Sequence, residues 1–154
     1  MKYFLLLITL LGLSMSINAQ NESRLREFFN EKGVGLQGYD PVSYFTNNKA
    51  VKGKKEYAVK ADGITYYLSS ASNKELFLAH QKDYEPQYGG WCAYAMGESG
   101  EKVEVDPETF KILNGKLFLF YNSFFNNTLT KWNKDEAKLH VQADKNWTKF
   151  FKQP

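Results

Sequence analysis

Apolar residues recur along this chain in two rhythms, and the switches between them mark out its elements. Lys55–Lys60 and Ile64–Ser69 are rich in Tyr, Val and Ile. A period of two puts Tyr57 and Val59 on one face of the first run, and Ile64, Tyr66 and Leu68 on one face of the second. Ala61-Asp62-Gly63 supplies the turn between them, so this segment predicts a β-hairpin. A second hairpin is predicted where Phe110–Leu113 and Lys116–Tyr121 flank Asn114-Gly115, a pair that accepts left-handed turn backbone.

The longer rhythm predicts helices. Ser70 or Ser72 caps one, with Glu75 in its first turn and Leu76, Phe77 and His80 along one face. Tyr84 lies one turn further if that helix lasts, and Glu85-Pro86 stops it, because the residue before proline is pushed toward extended geometry. Trp132, Leu139, Ala143, Trp147 and Phe150 cluster on one side of a helical wheel. They predict an amphipathic terminal helix, or two helical pieces, closing over the sheet.

Shorter stretches complete the outline. Ser23–Lys32 carries Leu25, Phe28 and Phe29 at helical spacing and reads as a docked arm or a frayed leader. Gly33–Gly38 reads as a connector or short strand. Asp40 is expected to cap a helix that opens with Pro41 and ends near Asn47-Asn48, and Asp106-Pro107 repeats the signal as a helix or turn start. Gly89 and Gly90 bend the chain into Trp91–Met96, which reads as a strand. The pattern predicts an α+β fold: one compact domain with two β-hairpins and packed helices.

The first residues follow another logic. Lys2, the apolar run Phe4–Leu13 and Ile17-Asn18-Ala19 form a secretory leader cleaved before Gln20, too short to span a bilayer. The expected layout is a signal peptide over 1–19, an arm over 20–33 and the domain over 34–151. The leader carries one lysine and no acid, so the formal charge of +3 falls to +2. That balance is too mild to argue for nucleic acid or an anionic membrane as a partner, and no second apolar stretch follows to span a bilayer after cleavage. Twelve Phe, ten Tyr and three Trp make the core aromatic, and a single cysteine excludes an internal disulfide.

That cysteine, Cys92, is the sharpest chemical feature. It reads as a soft-metal or haem ligand, a redox thiol, or an inert core residue. His80 and His140 are the only histidines. If both converged on Cys92, with Asp83 or Asp144 completing the set, the site would suit zinc or copper. Tyr88, Gly89, Gly90 and Tyr94 are the candidate contacts for a small ligand, the rings offering apolar area and hydroxyls, the glycines close backbone approach. No nucleophile elbow, phosphate-binding loop or His-Glu-x-x-His motif occurs. A Cys-His pair is the least that thiol catalysis requires.

Over about Gly35 to Trp147 the chain resembles the YHS-domain proteins, particularly the small exported ones. The carrying stretches are GYDPVSYF (38–45), ITYYLSSASNKELF (64–77), PQYGGWCAYAM (86–96), NGKLFLFYN (114–122) and DKNW (144–147). The resemblance implies a compact α+β domain and says little about activity. In the branch joined to heavy-metal transport ATPases, it implies metal-binding cysteines after Asp-Pro-Val and around the start of the following helix. This chain has Ser43, Ser69 and Asn73 there, so that role does not transfer to these positions. Three readings follow: an exported non-enzymatic binding domain for a metal ion, a metal-bearing cofactor or a small ligand; a structural or protein-interaction module; and a thiol enzyme using Cys92.

Overall fold

The structure, a computed structural model, describes residues 21–151. The expected leader and its cleavage site therefore lie outside the described residues. Among the described residues no helix is long and apolar enough to cross a membrane.

The α+β expectation holds. Residues 21–27 form helix α1, followed by strands β1 (Asn30–Glu31) and β2 (Val34–Gly35) and the short helix α2 (Ser43–Thr46). Strands β3 (Lys54–Ala61) and β4 (Ile64–Leu68) make the first hairpin, turning at Asp62 and Gly63 with φ of 47° and 88°. A four-stranded sheet results, ordered β1-β2-β4-β3, with β2 parallel to β4 and the other pairs antiparallel. Strands β5 (Asp106–Leu113) and β6 (Lys116–Phe120) make the second hairpin, with Asn114 and Gly115 also at positive φ. A third hairpin, β7 (Asn122–Ser123) with β8 (Asn126–Asn127), had no turn signal in the sequence.

Strand β6 divides the interior. Its period of two sends Leu117 and Leu119 into one buried cluster with Val42, Tyr44, Ile64, Tyr66, Leu68 and Phe77. Phe118 and Phe120 enter a second cluster with Met96, Trp132, Leu139 and Ala143. A strand buried on both faces thus joins two cores in one domain. The second is capped by the terminal helices α6 (Thr128–Trp132) and α7 (Glu136–Trp147), as the wheel pattern predicted.

The N-terminal arm is docked. Arg24 donates to Glu85 at 2.5 Å and lies over the Phe28 ring, while Phe29 N–H donates to the Gly89 carbonyl at 2.9 Å. Glu27 is buried, paired with Lys102 and Arg26. Burial pushes its carboxyl upward, but those two cations outweigh it and hold the pKa below the ordinary range.

Several local expectations are corrected. Trp91–Met96 is not a strand. Tyr88, Gly89 and Gly90 turn through φ of 53°, 60° and 89°, Cys92 caps, and Ala93–Glu98 forms helix α5. Short apolar runs suit either state, and here close packing on α7 decides: a Cβ at Gly97 would lie 2.5 Å from the Leu139 carbonyl oxygen. Asp106-Pro107 opens β5 instead of a helix; Asp106 accepts from Glu108 N–H and the Thr109 hydroxyl beside a register break. The helix capped by Ser70, α3 (Ala71–Ala79), breaks at His80, whose φ is −140°, and a separate turn α4 (Gln81–Tyr84) follows.

Candidate functional site

Two buried polar clusters hold most of the residues singled out by the sequence. The first is built on Asp40, which has no exposed surface. One carboxylate oxygen accepts from Val42 N–H at 2.8 Å, fixing the turn that leads into α2; the helix expected to open at Pro41 under an Asp40 cap begins instead at Ser43, with Val42 at the cap position. The other reaches across the fold, accepting from Ser69 N–H, the Ser69 hydroxyl and the Asn73 amide at 2.8, 2.6 and 2.6 Å. Ser43 sits beside it, its hydroxyl within 2.8 and 3.0 Å of the Asp40 and Lys49 carbonyls, one of which takes its single proton. So Ser43, Ser69 and Asn73, drawn from three elements, do meet in space, but all three are engaged in holding α2, β4 and α3 together.

The second cluster is built on Cys92, also without exposed surface. Its backbone N–H donates to the Val103 carbonyl. Tyr121 N–H donates to Sγ at 3.3 Å, and Thr128 Oγ1 lies 3.4 Å from Sγ. The Thr128 hydroxyl has one proton, already given to the Tyr121 carbonyl at 2.7 Å. The Cys92 thiol is therefore the donor to Thr128, and the sulfur gives one hydrogen bond while accepting another. This network joins the start of α5, the end of β6 and the start of α6.

Unlike Asp40, Cys92 has open space beside it. A groove of about 390 Å³ is bordered by Tyr94, Glu98, Glu101, Tyr121, Thr128 and Lys131, with Cys92 at its base. Partial burial and then the charge of Glu98 push the Tyr94 phenol above its ordinary pKa. Lys131 Nζ stands 5.8 Å from the centre of the Tyr94 ring. The groove combines aromatic area, both signs of charge and hydroxyl donors.

The other expected contacts lie elsewhere. Tyr88 is buried, its hydroxyl donating to Asp144 at 2.9 Å and its ring packed edge-on to Phe118. Burial and Asp144 push that phenol well above its ordinary range. Gly89 serves packing: a Cβ there would meet Trp147 at 2.8 Å and Phe28 at 2.9 Å. Gly90 makes the bend. Tyr88 and Gly89 border a different hollow, between Phe28, Pro86 and Trp147. The expected ligand set of Tyr88, Gly89, Gly90 and Tyr94 thus divides, and Tyr94 alone borders the Cys92 groove.

Nor does the expected Cys92–His80–His140 set come together. Among the described residues, no three His, Cys, Asp or Glu side chains lie close enough to share an ion. The His80 side chain is exposed and faces Asp83 at 3.7 Å, at the break between α3 and α4. His140 packs edge-on to Phe118, with ring centres 5.2 Å apart, and faces Asp144 at 3.8 Å. The residues present do not fit a resident zinc or copper ion, which needs several soft or imidazole donors at one point.

Tyr121, Thr128, Lys131, Glu98 and Glu101 were not among the residues expected at the site. Tyr121, Thr128 and Lys131 meet α5 from far along the chain, 36 residues for Thr128 with Cys92, and no local pattern signals such a pairing; Glu98 lies one helical turn from Tyr94, a neighbourhood hidden by reading Trp91–Met96 as a strand. Comparison with protein-family models, characterised proteins and solved structures found no match.

Proposed function

We propose that this chain is an exported, non-enzymatic YHS-type binding domain that takes a small organic ligand in the groove over Cys92. The observation carrying this reading is the juxtaposition of that groove with the hydrogen-bonded thiol at its base. Tyr94 and Tyr121 offer ring area, Lys131 an ammonium, Glu98 and Glu101 carboxylates, a lining suited to a ligand with an apolar body and polar ends. A thiol whose hydrogen-bond partners are a hydroxyl and a backbone amide, with no imidazole in its network, supports binding over thiol catalysis. The metal-binding version has less support, because the groove offers a single sulfur and no histidine.

Fragment screening by backbone amide shifts tests the proposal. Hits are expected to perturb Tyr94, Tyr121, Thr128 and Lys131 together, and to weaken about tenfold or more in Tyr94→Ala. Perturbations confined to the Tyr88–Trp147 hollow, or none anywhere, reject it. One observation favours a second reading, a protein-interaction or structural module: Cys92 has no exposed surface and a satisfied hydrogen-bond set. On that reading Cys92→Ala costs stability, and no small molecule binds the groove.

A further inference from the structure

Away from the Cys92 groove, the four-stranded sheet carries a second open hollow on its outer face. Its volume is about 560 Å³, against about 390 Å³ for the groove. Ile64, Tyr66 and Leu68 point into the first core, so Thr65 and Tyr67 face the other way. Val34 pairs with Thr65 and stands on that same outer face. Tyr67 and Val34 border the hollow together with Gly38, Gln37, Glu31 and Lys32.

The wall of this hollow is built against backbone preference. Leu36, Gln37 and Gly38 turn in succession through φ of 53°, 49° and 76°, a region that glycine enters freely and other residues avoid. Burial in the first core accounts for Leu36, but Gln37 is half-buried and outside that core. Gln37 is nonetheless pinned twice. Its Nε2 donates to the Val105 carbonyl at 3.0 Å, and its backbone carbonyl accepts from Lys52 Nζ at 3.0 Å. Among the described residues nothing donates to its side-chain oxygen, and nothing hydrogen-bonds the Tyr67 hydroxyl. Gly38 makes room for the Tyr67 ring, which a Cβ there would approach to 3.3 Å. Strain of this kind persists where a position serves something besides folding.

We propose that this hollow binds a neutral sugar, a pyranose unit, at a site separate from the Cys92 groove. A pyranose has an apolar C–H face and a rim of hydroxyls, each both donor and acceptor. The Tyr67 ring and Val34 suit the C–H face. The Gln37 side-chain oxygen and Glu31 accept from hydroxyls, Lys32 donates to them, and the Tyr67 hydroxyl does either. Neutrality follows from the charges. The hollow carries one acid and one base, and Lys52 beside it is engaged by the Gln37 carbonyl and the Tyr39 ring. An ion gains no net pull there, whereas hydroxyls use both signs. The volume falls within the range of about 300–1,000 Å³ for small-molecule sites. Glu31 and Lys32 are exposed, which leaves one side open to further units of a glycan.

Amide-shift titration of the whole chain with maltose and with cellobiose tests this. Binding should shift Val34, Gln37 and Tyr67 together and saturably, and Tyr67→Ala should weaken it about tenfold. Glu31→Ala changes an exposed side chain and covers any folding defect in the Tyr67 variant; it should weaken binding about threefold or more. Tyr94→Ala, which damages the groove, should bind these sugars like the parent chain, so the two sites are read separately. Affinity electrophoresis through soluble starch and hydroxyethyl cellulose distinguishes the sources. Retardation lost in Tyr67→Ala assigns a glycan unit, and sugar binding without retardation assigns a free sugar. Glucuronate, glucosamine and glycylglycine should bind no tighter than maltose or cellobiose. No shift with either sugar and no retardation, shifts centred on Tyr94 and Tyr121, unchanged binding by Tyr67→Ala, or tighter binding of a charged probe each overturns the proposal.

Discussion

Asp40 and Cys92 are both fully buried polar groups that tie distant parts of the chain together, yet they face different surroundings. Asp40 is enclosed by donors from Val42, Ser69 and Asn73 and borders none of the hollows described above. Cys92 has two hydrogen-bond partners and a groove alongside. Burying a carboxylate requires full compensation, so every neighbouring donor is recruited and nothing is left to offer a ligand. A thiol costs little to bury, so its surroundings can stay partly open. The positions where the family resemblance leads one to look for ligands, Ser43, Ser69 and Asn73, belong to the closed cluster.

The largest expected effect comes from breaking the closed cluster. Asp40→Ala leaves the buried Val42 amide and the half-buried donors of Ser69 and Asn73 without their shared acceptor, and should cost about 3 kcal/mol in chemical denaturation. Asp40→Asn should also destabilise, because its new NH₂ group faces donors. A loss under about 1 kcal/mol for the alanine variant would mean that the carboxylate is not the tie between α2, β4 and α3.

The Cys92 cluster should respond more mildly. Cys92→Ala removes one acceptor from Tyr121 N–H and a small volume, an expected cost of about 1–2 kcal/mol. Cys92→Ser keeps a donor and an acceptor and should cost less. Equal losses in Asp40→Ala and Cys92→Ala would erase the contrast between the two clusters.

The smallest effect is a pH dependence that belongs to neither. Glu27 is held below its ordinary pKa, so the stability it contributes is present above its unfolded value of 4.5 and lost as pH falls through its lower folded value. In Glu27→Gln the loss of stability on acidification below about pH 4.5 should be shallower, with a cost near 1 kcal/mol at neutral pH. Thermal melts from neutral to acid pH check this. An unchanged acid limb would assign the sensitivity to other carboxylates.

How much of this was legible in the sequence depends on how local the deciding contact is. Asp62-Gly63 and Asn114-Gly115 announce their hairpins because the turn backbone is chosen by those residues alone. Ser70 is readable as a cap for the same reason, and its hydroxyl does accept from Asn73 N–H. Helix α5 was misread because Trp-Cys-Ala-Tyr-Ala-Met fits either period, and the arbiter, Gly97 against the Leu139 backbone, lies on another helix. The bond from Val42 N–H to Asp40 is local and of the kind the Asp-Pro signal announces, though it closes a turn before α2 and not its cap; the bonds from Ser69 and Asn73, 29 and 33 residues away, have no local signal. The site followed that division. Tyr94 and Cys92 stood out by type, whereas Tyr121, Thr128 and Lys131 reach the groove only through tertiary packing.

The most direct test of the account is to locate a bound small molecule by crystallography, using the tightest fragment from the amide-shift screen. The account predicts density in the groove over Cys92, against Tyr94 and Tyr121, with the Asp40 hydrogen bonds unchanged. Density at the Asp40 cluster, or in the hollow beside Tyr88 and Trp147 with the groove empty, would contradict it.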